Sequence, residues 1–258
     1  MNVVIGLGNI GIAMAERLVA QGRAVLGVDL AEARRAEWHA RTGLDAADAL
    51  EAVPWERVAH VLIVVRLTEQ AEAVLQALRD LPVAEGAGVL VATTLDLAYA
   101  RGLGRYDDRA WRLIELPVSG GDAAARTGGL TLMLAGRHDA RDDELLADLG
   151  TSRVPFAEFG QPTLAKLLNN VSAAYTAASY AEMMLLARAA GMSPQRLRDV
   201  LHTSSGGSWM GDNFLNPSID LLAKDVDLLR SQVGALPVVD LNAGLLDRLR
   251  AGREALAP

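Results

Sequence analysis

The chain has 258 residues, about half of them apolar, and carries 32 acidic and 25 basic residues for a net charge of −7. That is enough apolar material for one large or two medium hydrophobic cores, and it excludes a disordered chain. Acidic and basic residues are interspersed, so there is no Lys/Arg block to follow a phosphate backbone or an anionic lipid surface, and nucleic-acid and membrane partners are not expected.

The opening Met1-Asn2-Val3-Val4-Ile5-Gly6 reads as a strand, not as a signal peptide. Apolar runs such as Val61 to Val65 fall far short of the roughly 20 residues needed to span a bilayer. The lack of cysteine removes disulfides, thiolate nucleophiles and zinc–thiolate sites, and is compatible with the cytoplasm, the expected location.

From Met1 to about Glu158, short β-branched or apolar runs alternate with amphipathic Ala/Leu/Arg/Glu segments. The runs are Val3 to Ile5, Ala24 to Asp29, Val61 to Val65 and Val89 to Thr93, an alternation that predicts a doubly wound parallel sheet. Arg112 to Leu116 and Leu130 to Ala135 are further strands expected to extend it, the second bounded by Gly128-Gly129 and Gly136 as turn signals. After Gly160 the period becomes helical. Thr163 to Ala190 predicts one long helix, with Pro162 suited to its first turn and Gly191 placed as its C-terminal cap. Pro194 to His202 reads as a second helix, Gly206-Gly207-Ser208 as a loop and Ile219 to Val233 as a third helix. The expected organisation is therefore a dinucleotide-binding domain over 1–159 and a smaller all-α domain over 160–258, for substrate and dimerisation.

Gly6-Leu7-Gly8-Asn9-Ile10-Gly11 follows a strand and opens a helix, the context that a dinucleotide-binding glycine motif requires. The first glycine permits a tight turn, the second lets the backbone approach a pyrophosphate, and the third allows close helix–strand packing, with the helix N-terminus facing the anion. Asp29 ends the second strand about 20 residues on, where a carboxylate accepts hydrogen bonds from ribose hydroxyls and repels a 2′-phosphate. NAD is thus favoured over NADP. Arg34 and Arg35, on the helix that follows, read as a solvated face, with phosphate contact as the minor option.

Four motifs then point to a family: Gly6 to Leu18 (GLGNIGIAMAERL), Pro117 to Gly121 (PVSGG), Lys166 to Asn170 (KLLNN) and the Lys224-Asp225 pair. In order and spacing the chain resembles the β-hydroxyacid dehydrogenase family, which includes 3-hydroxyisobutyrate dehydrogenases and tartronate semialdehyde reductases and has a 6-phosphogluconate dehydrogenase-type NAD-binding domain. The resemblance implies a Rossmann domain followed by a helical one, and hydride transfer between NAD and a small β-hydroxy acid or its semialdehyde.

In PVSGG, Ser119 offers a hydroxyl and Gly120 and Gly121 approachable N–H groups, a combination suited to a carboxylate. The resemblance assigns them to substrate binding. Lys166 and Asn170 are four residues apart on one helical face, so an ammonium and an amide can converge on one oxygen. The family reading makes Lys166 the general acid/base and has Asn170 position the substrate. Asn169 is grouped with the substrate-binding residues, with its own surroundings or the cofactor side as alternative contacts. Thr94 matches one member of a Ser-Thr pair on the nicotinamide side, Thr93 being the conservative change beside it. Lys224 matches a lysine near the active site and is assigned to the cofactor. Without the resemblance, a Lys and two Asn on a helix are ordinarily solvent-facing.

Pro162 stands where relatives commonly have glycine, the segment from Ser208-Trp209 to Lys224 looks short, and the tail after Val239 looks abbreviated. Trp209, Met210 and Asn213 are candidate pocket residues, and a homodimer is expected. His39, His60, His138 and His202 occur singly, so no metal site is expected. No GxSxG surrounds a serine. Two alternatives stand beside the dehydrogenase: an imine reductase-like enzyme, against which Lys166 argues, and an NAD-binding protein without turnover.

Overall fold

A computed structural model describes residues 1–106, 109–215 and 219–237. Its first half alternates strand and helix: β1 (Asn2–Ile5), α1 (Asn9–Ala20), β2 (Val25–Val28), α2 (Glu32–Thr42), β3 (Ala46–Ala47), β4 (His60–Ile63), α3 (Thr68–Leu78), β5 (Gly88–Val91), α4 (Leu97–Arg101) and β6 (Arg112–Glu115). There follow β7 (Val118–Ser119), α5 (Gly121–Thr127), β8 (Leu130–Gly136), α6 (Ala140–Leu149) and β9 (Gly150–Pro155). The rest is helical: α7 (Gln161–Ala189), α8 (Pro194–Thr203), α9 (Trp209–Asp212) and α10 (Ile219–Val233).

The strands stand in the order β3-β2-β1-β4-β5-β6-β8-β7, with β9 on β8. From β3 to β6 every pairing is parallel, as the alternation predicts. β8 departs from that expectation and runs antiparallel to β6, because a strand that follows a short return through β7 and α5 re-enters the sheet in the reverse sense.

The pleat explains why the strand runs are apolar throughout. Val3, Val61, Val89 and Leu113 are in register and point to one face; Val4, Leu62, Leu90 and Ile114 form the next row and point to the other. The first row packs under α3 and α4 with Trp55, Tyr106 and Trp111, and the second packs under α1 and α6 with Trp38. Both layers are needed to cover a parallel sheet.

The outermost row, Asn2, His60, Gly88 and Arg112, carries polar side chains at the amino ends of the strands. There the fully buried carboxylate of Asp142 receives Arg112 through two bonds, Nε at 2.7 Å and Nη2 at 3.0 Å, and the Asp139 N–H at 2.8 Å. His60 Nε2 lies 3.2 Å from the same carboxylate and His60 Nδ1 lies 2.9 Å from Asn2 Oδ1. A side chain at Gly88 would meet Asp142 Oδ1 at 2.4 Å, so the glycine is what admits the carboxylate.

A second buried carboxylate ties the sheet to α7. Glu115, at the end of β6, accepts the N–H groups of Gly160 (2.6 Å) and Thr163 (2.8 Å), two of the donors that a helix start leaves without partners. Burial pushes its pKa up, against the pull of those bonds. Glu115→Gln keeps an acceptor for one N–H and turns an amide towards the other. It is expected to cost about 1–3 kcal/mol, read as a lower denaturant midpoint at unchanged slope.

In the helical part, Leu167 and Val171 of α7 meet Leu229 of α10, with Leu164, Val226, Leu228 and Leu236 around them. Met210, a candidate pocket residue, is buried, whereas Trp209 is exposed and Asn213 donates to the Trp209 carbonyl. α9 itself was not anticipated; Ser208, placed in the predicted loop, caps it through the Gly211 N–H. The tail after Val239 lies outside the described residues.

Candidate active site

The carboxyl ends of β1, β2, β4 and β5 end in one line, and the glycine motif occupies the gap they leave. Gly6 has φ +95°, and a Cβ there would sit 2.5 Å from the Val64 carbonyl; one at Gly11 would sit 1.9 Å from the Gly6 carbonyl. A Cβ at Gly8 would meet nothing within 4 Å. Gly8 is the N-cap of α1, without a side-chain cap, and the first turn of α1, which includes Asn9 and Ile10, has no acidic residue. The first N–H groups of α1 therefore face an open, uncharged cradle, which fits a dinucleotide pyrophosphate.

Asp29 is bound into this turn. Its Oδ2 accepts the Leu7 N–H at 2.7 Å and its Oδ1 the Ala31 N–H at 2.8 Å, which leaves a further lone pair on each oxygen for sugar hydroxyls. Arg35 lies over the backbone here, donating to the carbonyls of Asp29 (2.8 Å) and Leu30 (2.9 Å), while Arg34 pairs with Glu37. Leu30 is 87% exposed beside the carboxylate. Thr93 is buried and bridges β5 to Val65, bonding both its N–H and its carbonyl at 3.0 Å, so Thr94, half-buried, is the threonine left at the sheet edge.

The other predicted residues form one polar chain. Asn169 Nδ2 reaches Ser119 Oγ at 3.4 Å and Asn170 Oδ1 at 3.1 Å. Asn170 Nδ2 donates to Asp225 Oδ2, Lys224 Nζ lies 3.4 Å from Asp225 Oδ1, and the same amine reaches the Arg66 carbonyl at 3.4 Å. The chain thus runs from β7, through α7 and α10, to the loop after β4. Gly120 and Gly121 begin α5 just beyond Ser119, without a side-chain cap. Lys166 stands one turn before Asn170 and makes no hydrogen bond or ion pair with the described residues. Burial lowers its pKa; the negative charge of Asp225 opposes the shift and the positive charge of Lys224 adds to it.

Asp225 is the residue that sequence reasoning undervalued, having been read only as the neighbour of Lys224. It is buried, and Oδ1 lacks a hydrogen bond. The available signal was its spacing: Asp225, Leu229 and Gln232 fall at i, i+4 and i+7, on the face of α10 that meets the rest of the protein. A cavity of about 900 Å³ lined by Arg101, Arg137, Phe156, Glu158, Gln161 and Leu164 contains none of the candidate residues. Among the described residues, no cluster of His, Cys, Asp or Glu is suited to a metal ion, and no helix is long and apolar enough to cross a membrane.

A Rossmann-type sheet with a dinucleotide cradle at its carboxyl edge and a lysine-bearing helix beside it defines a nucleotide-dependent class of protein. Residues 3–154 match the family described as the NAD binding domain of 6-phosphogluconate dehydrogenase, and residues 160–255 that described as the NAD-binding domain of NADP-dependent 3-hydroxyisobutyrate dehydrogenase. The chain belongs to the β-hydroxyacid dehydrogenase family. It is 31% identical over 242 residues to L-threonate dehydrogenase of Cupriavidus necator, covering 88% of this chain and 81% of that protein. It is 29% identical over 218 residues to mitochondrial 3-hydroxyisobutyrate dehydrogenase of Mus musculus, covering 83% of this chain but 64% of that protein, so it spans just under two thirds of that relative's length. The crystal structure of a 3-hydroxyisobutyrate dehydrogenase from Salmonella typhimurium superposes with a TM-score of 0.78 at 25% identity, over 98% of this chain and 94% of that one.

Proposed function

We propose that the chain is an oxidoreductase that moves a hydride between NAD(H) and a small β-hydroxy acid or its semialdehyde. The observation that carries the reading is the unbroken polar chain from Ser119 to the Arg66 carbonyl, with the Lys166 amine, which has no hydrogen-bond or ion-pair partner among the described residues, one turn away on α7. When bound, a nicotinamide dinucleotide supplies the hydride acceptor or donor. Lys166 then takes the hydroxyl proton in oxidation or returns it to the carbonyl oxygen in reduction. Asn170, its amide fixed by Asp225, orients that oxygen. Ser119, with the N–H groups of Gly120 and Gly121, holds the substrate carboxylate, Asn169 steadies Ser119, and Thr94 and Lys224 border the nicotinamide side.

The proposed division of labour gives cofactor binding to residues 1–159, and substrate binding and association of two copies to 160–258. Exposed Leu185, Leu186 and Val200 on α7 and α8 support the homodimer. Lys166 favours the dehydrogenase over an imine reductase-like activity. Asp29 at the sugar position supports NAD over NADP.

The deciding experiment is a panel of small hydroxy acids and semialdehydes assayed with both cofactors. Turnover with a β-hydroxy acid or its semialdehyde, faster with NAD(H), is expected; cofactor binding without turnover on any member would leave the non-catalytic reading. In the same assay, Asp29→Ala should erode the preference for NAD and weaken both cofactors, since Leu7 loses its acceptor. Undiminished discrimination would assign the choice to another residue.

A further inference from the structure

Among the described side chains of α10, Lys224 and Gln232, two helical turns apart, reach loops of the nucleotide-binding sheet. Lys224 reaches the loop after β4. Gln232 reaches the turn after β5, where its Oε1 accepts the Leu97 N–H at 2.8 Å and its Nε2 donates to Asp96 Oδ1 at 3.2 Å. That turn is not loose: the Asp96 N–H is held by Thr68 Oγ1 at 2.8 Å, and Thr93 binds Val65, so the loops after β4 and β5 form one hydrogen-bonded body. Seven residues before Gln232, on the same face of α10, Asp225 holds the amide of Asn170.

We infer that Gln232 is a positioning residue for hydride transfer, setting the distance between the Lys166–Asn170 pair and the cofactor edge of the sheet; this rests on the function proposed above. α10 packs along α7, so the polar contacts that fix α10 against the sheet, which have direction, also help fix α7 there. The turn presents one donor and one carboxylate, and a carboxamide answers both at once. Leucine answers neither. Glutamate can accept from the Leu97 N–H but sets a second negative charge against Asp96.

The test follows from that complementarity. Q232E should lower kcat by about 10- to 100-fold, the loss expected when reacting groups are misplaced by up to an ångström. Cofactor Kd should change little, and with C4-deuterated NADH the isotope effect on kcat should rise, because hydride transfer becomes slower relative to product release. In the double variant D96N/Q232E the amide and carboxylate are exchanged, the pair is complementary again, and kcat should return to within a few-fold of the parent. Q232L should lose kcat as well and should speed deuterium exchange at Leu97, measured independently of activity. An unchanged kcat in Q232E, or a loss that D96N does not recover, overturns the inference. Absence of turnover in the parent protein overturns the functional reading and this inference with it, whereas a parent that turns over alongside an unaffected Q232E overturns this inference alone.

Discussion

Lys166→Ala is expected to bind NADH as the parent does and to lose about 10²- to 10⁴-fold in kcat, the usual worth of a positioned general acid or base. Binding is spared because the cradle above α1 and the Asp29 turn belong to the sheet edge, and Lys166 forms no bond with them. A fluorescence titration with NADH beside steady-state kinetics separates the two effects. Retained turnover would remove Lys166 from the chemistry. The pH dependence carries a sign as well. Burial depresses the Lys166 pKa, so kcat/KM for reduction, which needs the ammonium, should fall as pH rises through a value below that of an ordinary lysine. Oxidation needs the neutral amine and should rise over the same interval. A profile flat up to the ordinary lysine range would contradict the assignment.

Asp142→Ala is expected to have the largest effect on stability. It takes the carboxylate from the buried His60 ring and two hydrogen bonds from the Arg112 guanidinium, which keeps the Gly86 carbonyl and Asp139, and breaking such a buried pair costs about 3–5 kcal/mol. For a chain of this size that lowers Tm by on the order of 10 °C. Burial would raise the Asp142 pKa, but the His60 ring beside it and the hydrogen bonds from Arg112 and the Asp139 N–H outweigh it and hold the carboxyl below the usual range. A depressed carboxylate stabilises the fold above its unfolded-state pKa, and that contribution is lost as pH falls through the folded value. The stability gap between the parent and Asp142→Asn should therefore narrow in acid. A gap that stayed constant with pH would mean that shape, and not charge, governs the site.

Legibility in the sequence followed the range of the interactions concerned. Val3 to Ile5, Val61 to Val65 and Val89 to Thr93 announced themselves because a strand covered on both faces must be apolar throughout, and Gly6 and Gly11 because no other residue fits against the Val64 and Gly6 carbonyls. β7 and β9 were missed, as was the reversal of β8, since their partners are set by sheet position and not by local pattern. Ser119 and Lys166 became candidates only in company, each being ordinary alone. Glu115, Asp142 and Gln232 were invisible for one shared reason: the partners of Glu115 and Gln232 lie 45 to 48 and 135 to 136 residues away and the Arg112 partner of Asp142 lies 30 away, and a buried polar side chain looks like a surface one until its contact is known.

The capping of α7 by Glu115 fixes where the helix is anchored. A rod of 29 residues extends about 43 Å, and the amine-bearing turn begins only about 8 Å from the tethered end. Tilting about that tether moves the amine roughly one fifth as far as the free tip. Jostling of the distal half by whatever docks there is therefore damped at the reacting atoms, a mechanical isolation that comes from placing the proton donor near the fulcrum.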